Sequence, residues 1–322
     1  MSTRREFITN AGKGIALSAL AFSSPGLIAS VHQGQSAKKI RIGIIGAENS
    51  HTANLGRLFN IEKRFDGVEV KYVWGETAEF ARKASEKGNI PNIVKEPEEM
   101  MGRIEALIVD HRHPKYHLKA ATPFIKAGIP AFIDKPFCYR VEEGKEFLAM
   151  AREYGTPVTS YSSIAQSTAT FDMINQLEEM EPVNNVVRFG PADFDSVYGG
   201  IFFYGVHLVQ PLMYMFGNDI EKVKVTRVGS KGSITLLYHN GLSAHLILNR
   251  KEGEWTTLYE TDEGIRELKS RVEAPEVDRN YTDMVEMFRT GKEPRSHESI
   301  LACVAVLQAI EKSGQSEEWV YV

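Results

Sequence analysis

Between residues 39 and 160 short β-branched runs alternate with stretches of helical period, and no other property of the chain restricts its fold so strongly. The run Lys39-Ile40-Arg41-Ile42-Gly43-Ile44-Ile45-Gly46 is rich in Ile and ends on glycine, the pattern of a strand buried on both faces. A helix is expected at about 52–63, a strand at 68–74, and a second helix at 76–87 with Ala and Phe on one face. Further strands are expected at 106–109, 131–133 and 157–160, separated by helices at 117–127, closed by Gly128, and at 141–154. Parallel strands need crossover connections, so this alternation predicts an α/β fold built on a doubly wound parallel sheet.

Beyond residue 160 the strands lengthen and hairpin signals take over. Segments 233–237 and 242–248 flank Asn240-Gly241, a tight-turn pair, and amphipathic helices are expected at 278–288 and 298–311. This half reads as α+β with an open, mostly antiparallel sheet. The organisation is therefore 1–30 as a leader segment, 31–38 as a linker, 39–157 as the first domain and 158–322 as the second. At 322 residues, with 43% hydrophobic and 25% charged residues, the chain has the mass and composition for two globular domains. Its 38 Lys+Arg against 42 Asp+Glu include no basic block in the body, which argues against nucleic acid as a partner. Two cysteines, Cys138 and Cys303, are too few for a disulfide scaffold and read as unpaired structural thiols. A small-molecule enzyme or binding protein is the default class.

The leader stands apart in composition. Thr3-Arg4-Arg5-Glu6-Phe7-Ile8 sets two arginines before large apolar residues, and a short run rich in Ala, Gly and Ser follows. This resembles a twin-arginine (Tat) export signal, which implies a folded cargo, a Tat translocon as transient partner and a periplasmic destination. The alternative is an amphipathic N-terminal helix of a cytoplasmic protein. Ser23, Ser24, Pro25 and Gly26 interrupt the apolar run, which is too short for a membrane span. Cleavage is placed near residue 30, with retention as a tether the other outcome.

Chemistry concentrates at three places. Lys135 follows an apolar strand at its carboxyl end, the edge where doubly wound sheets bind ligands, and can donate to a substrate oxygen or take its proton. His207 lies in the apolar and aromatic run 202–208 and is either a general acid/base or a core histidine. Asp110-His111-Arg112-His113, with His117 four residues on, offers an H-x-H metal spacing, but the favoured reading is that these side chains line a cofactor or substrate cleft. No metal is assigned. Arg112 suits an anionic group, a phosphate or a carboxylate.

After residue 38 the chain resembles the Gfo/Idh/MocA oxidoreductases. Four stretches carry the resemblance: Ile42-Gly43-Ile44-Ile45-Gly46 at the dinucleotide fingerprint, Glu105-Ala106-Leu107-Ile108-Val109 followed by His117, Asp134-Lys135-Pro136, and Gly205-Val206-His207 at the expected start of a helix in the second domain. The 281–322 run, with Gly291-Lys292-Glu293-Pro294 between its helices, follows the same layout. The resemblance implies a Rossmann domain binding NAD or NADP, and a second domain that binds a sugar, polyol or related hydroxylated substrate and pairs subunits into a homo-oligomer through its sheet. It implies catalysis by Lys135 and His207, to which Tyr204 is added as a neighbouring hydroxyl; Tyr161 is a second candidate hydroxyl. It also implies cofactor contacts from Gly43, Gly46, Glu48, Asn49, Ser50, His51, Glu76, Asp110, His111, Arg112, His113, His117, Asp134 and Lys135.

Three departures shape the expectation. The G-x-G-x-x-G slots hold Gly46, Glu48 and His51, so bulk and negative charge stand where backbone normally approaches pyrophosphate. Trp74-Gly75 replaces the ribose-binding acid at the end of the second strand, with Glu76 shifted along. The acidic positions around His207 hold Phe203 and Gln210. Two alternatives follow: a non-redox glycoside-cleaving enzyme that uses tightly held NAD, and a cofactor-free binding or structural protein that keeps the fold.

Overall fold

The computed structural model describes residues 39–249, 251 and 253–322; the twin-arginine motif and the linker lie outside the described residues. Six strands, β1 (Ile40–Ile45), β2 (Val68–Trp74), β3 (Asn92–Ile93), β4 (Ala106–Val109), β5 (Ala131–Ile133) and β6 (Val158–Thr159), form one sheet. Its order is β3-β2-β1-β4-β5-β6, and every pair in it is parallel. The chain winds from β1 to one edge and from β4 to the other, so the topological switch falls between β1 and β4, where ligands bind in open α/β sheets.

All four residues of β4 are buried, as the apolar run requires. Ile40, Ile42 and Ile44 face a core shared with α1 (Ser50–Gly56), α2 (Ala78–Gly88) and the late helix α7 (Arg279–Thr290). Ile45, Leu107, Val109 and Ile133 belong to a second core, with Phe124 of α3 (His117–Lys126) and Phe147 of α4 (Val141–Glu153). Two local expectations are corrected. The helix expected to reach residue 63 is α-helical only to Gly56, and a wider π-type turn over Arg57–Ile61 follows. That turn lets Asn60 exchange two hydrogen bonds with the Val70 backbone, 2.8 and 2.9 Å long, while Phe59 stays buried. The next helix begins at Ala78 because Thr77 caps it, accepting from the Phe80 N–H at 3.1 Å.

The second sheet has seven strands, β7 (Asn185–Pro191), β8 (Ile220–Val228), β9 (Lys231–Tyr238), β10 (Ser243–Asn249), β11 (Thr256–Thr261), β12 (Gly264–Glu267) and β13 (Val320–Tyr321), in the order β12-β11-β7-β10-β9-β8-β13. Only β7 and β10 pair in parallel. The Asn240-Gly241 turn joins β9 to β10 as expected, with Gly241 at φ +92°. Burial alternates along β9, β10 and β11, so one face is covered while Val187, Phe189, Leu237, Ile247 and Leu258 stand half-buried on the other. The chain also forms α5 (Thr168–Glu178), α6 (Ile201–Phe216) and α8 (His297–Ser316). Buried side chains of α6 and α8 join the inner face of this sheet to the core behind β4 and β5.

His207 sits in the second turn of α6 rather than at a helix start. The helix opens earlier, at Ile201, because Gly199 and Gly200 take φ +98° and +59° and turn the chain into it. Among the described residues no helix is long and apolar enough to cross a membrane.

Candidate active site

The site lies at the carboxyl ends of β1, β4 and β5. Gly46 ends β1 at φ +113°, and a Cβ there would stand 2.6 Å from the Asp110 carbonyl carbon, so only glycine lets the β1 and β4 ends approach. Gly43 plays a different part from the expected cofactor contact. It lies within β1, and a Cβ on it would meet the Met100 sulfur at 2.5 Å, which makes it a packing residue of the sheet flank.

The loop after Gly46 is held by carboxylates. Glu76 Oε2 accepts from the backbone N–H groups of Ala47 and Glu48, both at 2.9 Å, while Glu76 Oε1 is buried without a hydrogen-bond partner. Glu48 turns across the cleft: Tyr198 donates its hydroxyl to Glu48 Oε1 at 2.6 Å and accepts from Arg112 Nη1 at 2.9 Å. The Arg112 guanidinium also lies over the rings of Tyr198 and Phe203, 4.3 and 5.2 Å from their centroids. The bulk that Glu48 adds in the second glycine slot is thus directed away from its own backbone.

Asn49, Ser50 and His51 open α1. Ser50 is exposed, whereas Asn49 is buried and its amide gathers the site. Asn49 Nδ2 donates to Asp110 Oδ1 at 3.0 Å and to Asp134 Oδ2 at 3.2 Å, and lies 3.3 Å from His51 Nδ1. His51 Nδ1 stands 3.6 Å from Asp110 Oδ1 and 3.4 Å from Asp134 Oδ1. Burial opposes charge on this ring, but the two carboxylates outweigh it and push its pKa up to about 10. Burial raises Asp110 despite the hydrogen bond from Thr52, whose hydroxyl lies 2.5 Å from Asp110 Oδ2. Asp134 is also desolvated, yet the Lys135 and His51 cations hold it well below the usual carboxylate range.

The three expected catalytic side chains come together. Lys135, buried ahead of the cis Lys135-Pro136 bond, has its ammonium 3.9 Å from Asp134 Oδ2 and 5.8 Å from the Tyr204 ring centroid. The Tyr204 ring meets the His207 ring edge-on at 5.5 Å. The carboxylate missing from the neighbourhood of His207 in sequence is therefore supplied to Lys135 by Asp134.

Ser162, which sequence reasoning missed, sets the state of His207. Its Oγ accepts from the N–H groups of Ile164 and Ala165, at 3.2 and 3.3 Å, so its own proton points to His207 Nδ1 at 2.6 Å. Gln210 Oε1 fixes the same loop by accepting from the Ser162 N–H. The network assigns the proton of the ring to Nε2. Burial and then the Lys135 charge hold the His207 pKa well below the ordinary histidine range. The ring is therefore neutral and offers an N–H donor at neutral pH, a narrower role than acid/base.

The histidines beyond Asp110 do not form one cluster. His117 is fully buried, with Nε2 2.8 Å from the His111 carbonyl and Nδ1 3.1 Å from the Pro136 carbonyl, so it braces the β4 and β5 loops instead of reaching the cleft. His113 caps the next turn, accepting from the Lys115 N–H at 3.3 Å, and packs edge-on against Tyr139 at 5.2 Å. His111 packs against Trp74 and His117, with Nδ1 buried and unpartnered. Burial pushes His111 and His113 down to about 4. Tyr161 is spent as well, since its hydroxyl donates to the Asn280 carbonyl at 2.6 Å. Arg188, also missed, is buried, donates to Thr257 Oγ1 at 2.7 Å and reaches the His207 carbonyl at 3.4 Å; among the described residues it has no acidic partner.

A doubly wound sheet with a glycine turn at its switch point has the topology of a Rossmann fold, and the buried Lys135 stands at the edge where such sheets bind ligands. Residues 40–162 match the Gfo/Idh/MocA family profile, described as an oxidoreductase family with an NAD-binding Rossmann fold. No curated protein matches the sequence. The fold is shared with myo-inositol dehydrogenase from Lactobacillus casei, crystallised with NAD(H) and myo-inositol, at 12% identity and a TM-score of 0.72 over 88% of this chain and 97% of that one. It is shared with the WlbA dehydrogenase of Bordetella pertussis, in complex with NADH and UDP-GlcNAcA, at 17% identity and a TM-score of 0.70 over 88% and 98%. A third is GenD2 from gentamicin A biosynthesis, in complex with NAD, at 14% identity and a TM-score of 0.73 over 92% and 99%. The residues present fit a dinucleotide: Glu76 Oε1 is an orphaned acceptor at the end of β2, where a ribose hydroxyl donor is required.

Proposed function

We propose that this protein is an NAD-dependent dehydrogenase of a hydroxylated small molecule, a sugar, polyol or close relative, exported to the periplasm by the twin-arginine route. The observation that carries it is the meeting of Lys135, Tyr204 and His207 at the carboxyl edge of the Rossmann sheet. Bound NAD would supply the hydride acceptor or donor. Lys135 then donates from its ammonium to the reacting oxygen and would protonate it as hydride reduces the carbonyl. His207 donates from Nε2 to a second substrate oxygen, and Ser162 keeps that tautomer. Glu76 would receive the adenosine ribose through Oε1, and its charge disfavours the 2′-phosphate of NADP. The half-buried apolar face of the second sheet suits a second copy of the chain.

Thermal shift with NAD and NADP tests the cofactor: NAD should raise Tm, and Glu76→Gln should reduce the rise. If neither nucleotide shifts Tm, the reading as an oxidoreductase falls and a cofactor-free protein takes its place. In turnover assays Lys135→Ala and His207→Ala should each lose about 100-fold or more with the fold intact. Fractionation of cells carrying Arg4→Lys plus Arg5→Lys tests export, and unchanged periplasmic delivery would remove the twin-arginine route.

A further inference from the structure

We infer that His51, Asp110 and Asp134 form a binding site for a divalent metal ion at the floor of the cleft. One atom from each, His51 Nδ1 and a carboxylate oxygen of each aspartate, falls within a 4.8 Å span. The His51 Nδ1 separations of 3.4 and 3.6 Å are longer than good N–H···O hydrogen bonds. They match the edge of a tetrahedron of ligand atoms about 2.1 Å from a central ion, roughly 3.4 Å.

A divalent cation would take the place of the His51 proton between the two carboxylates and the imidazole, with Asn49 Nδ2 still donating to both aspartates. One histidine with two carboxylates suits Mn²⁺, Fe²⁺ or Zn²⁺ better than a thiolate-preferring ion.

A second observation points to a ligand in the same place. All three side chains wall one cleft together with Lys135 and Asn280. Asn280 is 8% exposed, and its Oδ1 has no hydrogen-bond partner. An ion held by three protein ligands keeps open positions, and water or a substrate hydroxyl bound there could donate to Asn280 Oδ1. The site lies within a few ångströms of Lys135, so it deepens the proposed function by adding a Lewis acid beside the reacting oxygen and by favouring substrates that chelate through neighbouring oxygens.

The test is calorimetric titration of MnCl2 and of ZnCl2 into the full chain after chelator treatment, without nucleotide. Saturable binding of one ion per chain is expected. His51→Gln and Asp110→Asn should weaken it by more than the roughly 10–100-fold that loss of an outer-shell partner costs. His51 is partly exposed and its variant should fold, which circular dichroism verifies; Asn280→Asp, which adds a charge to the cleft wall, should tighten binding. No saturable binding, or binding that survives His51→Gln in a folded protein, overturns the site and leaves an internal ion pair in its place. The NAD thermal shift is read separately: a shift without metal binding refutes this inference alone, and metal binding without a shift refutes the dehydrogenase alone.

Discussion

The carboxyl edge of the parallel sheet and the inner face of the seven-stranded sheet are both buried, but they are filled in opposite ways. Asn49, Thr52, Asp110, Asp134 and Lys135 crowd the first; Val223, Ile234, Leu236, Ala244 and Leu246 fill most of the second. Buried polar groups must find partners, and the edge meets that demand with hydrogen bonds drawn from separate loops. On the face that demand is nearly confined to Arg188 and Thr257, which bond to each other, and most of the stability comes from apolar area. Stability and chemistry are thus divided between the sheets, with α6 between them: its Leu208 and Leu212 join the apolar core while His207 faces the site.

That division can be broken by mutation. Leu246→Ala on the covered face should cost about 2–5 kcal/mol in urea unfolding while leaving nucleotide thermal shifts in place. Ile247→Ala, one residue along and on the half-buried face, should cost under half as much. Equal losses would mean that the two faces are equally covered, as a tight oligomer would make them. The polar edge should respond to acid instead. His111 is held down to about 4 by burial, so between pH 6.5 and 4 the unfolded chain binds the extra proton and stability rises with pH. Acidification from pH 7 to 4 should therefore remove stability, with His111 contributing on the order of 1–3 kcal/mol. His111→Asn should flatten the Tm profile over that window, and an unchanged slope would contradict the assignment. The smallest effect concerns the thiols. Cys138 and Cys303 are free, buried and pushed up to about 12 by burial, so iodoacetamide at pH 8 should label neither until the chain is unfolded. Rapid native labelling would place an opening in the core they share.

The parallel sheet was legible in the sequence because its strands are short β-branched or apolar runs set between helical stretches: residues 68–74, 106–109 and 131–133 become β2, β4 and β5 without change. Lys135 was legible for the same reason, since it ends such a strand. The site around it was far less so. Asn49 meets Asp110 and Asp134 across 61 and 85 residues of chain, and no periodicity encodes such a meeting. Ser162 and Asn280 carry no motif at all. The H-x-H spacing does not converge on one point because the turn after β4 sends His111 toward Trp74 and His113 toward Tyr139. The histidine beside Asp110 is His51 from the degenerate glycine slot, expected as a cofactor contact, with Nδ1 3.6 Å from Asp110 Oδ1.

The late helix α7 has a consequence for how the protein is made. Met284, Val285, Met287 and Phe288 close the flank of the sheet that holds Ile40, Ile42 and Ile44. As the chain leaves the ribosome, α1 and α2 cover that flank only in part through synthesis of the whole second sheet, because the rest of its cover arrives near the end. A nascent Rossmann half is therefore expected to keep part of its apolar flank in water until synthesis nears its end, a surface prone to aggregation.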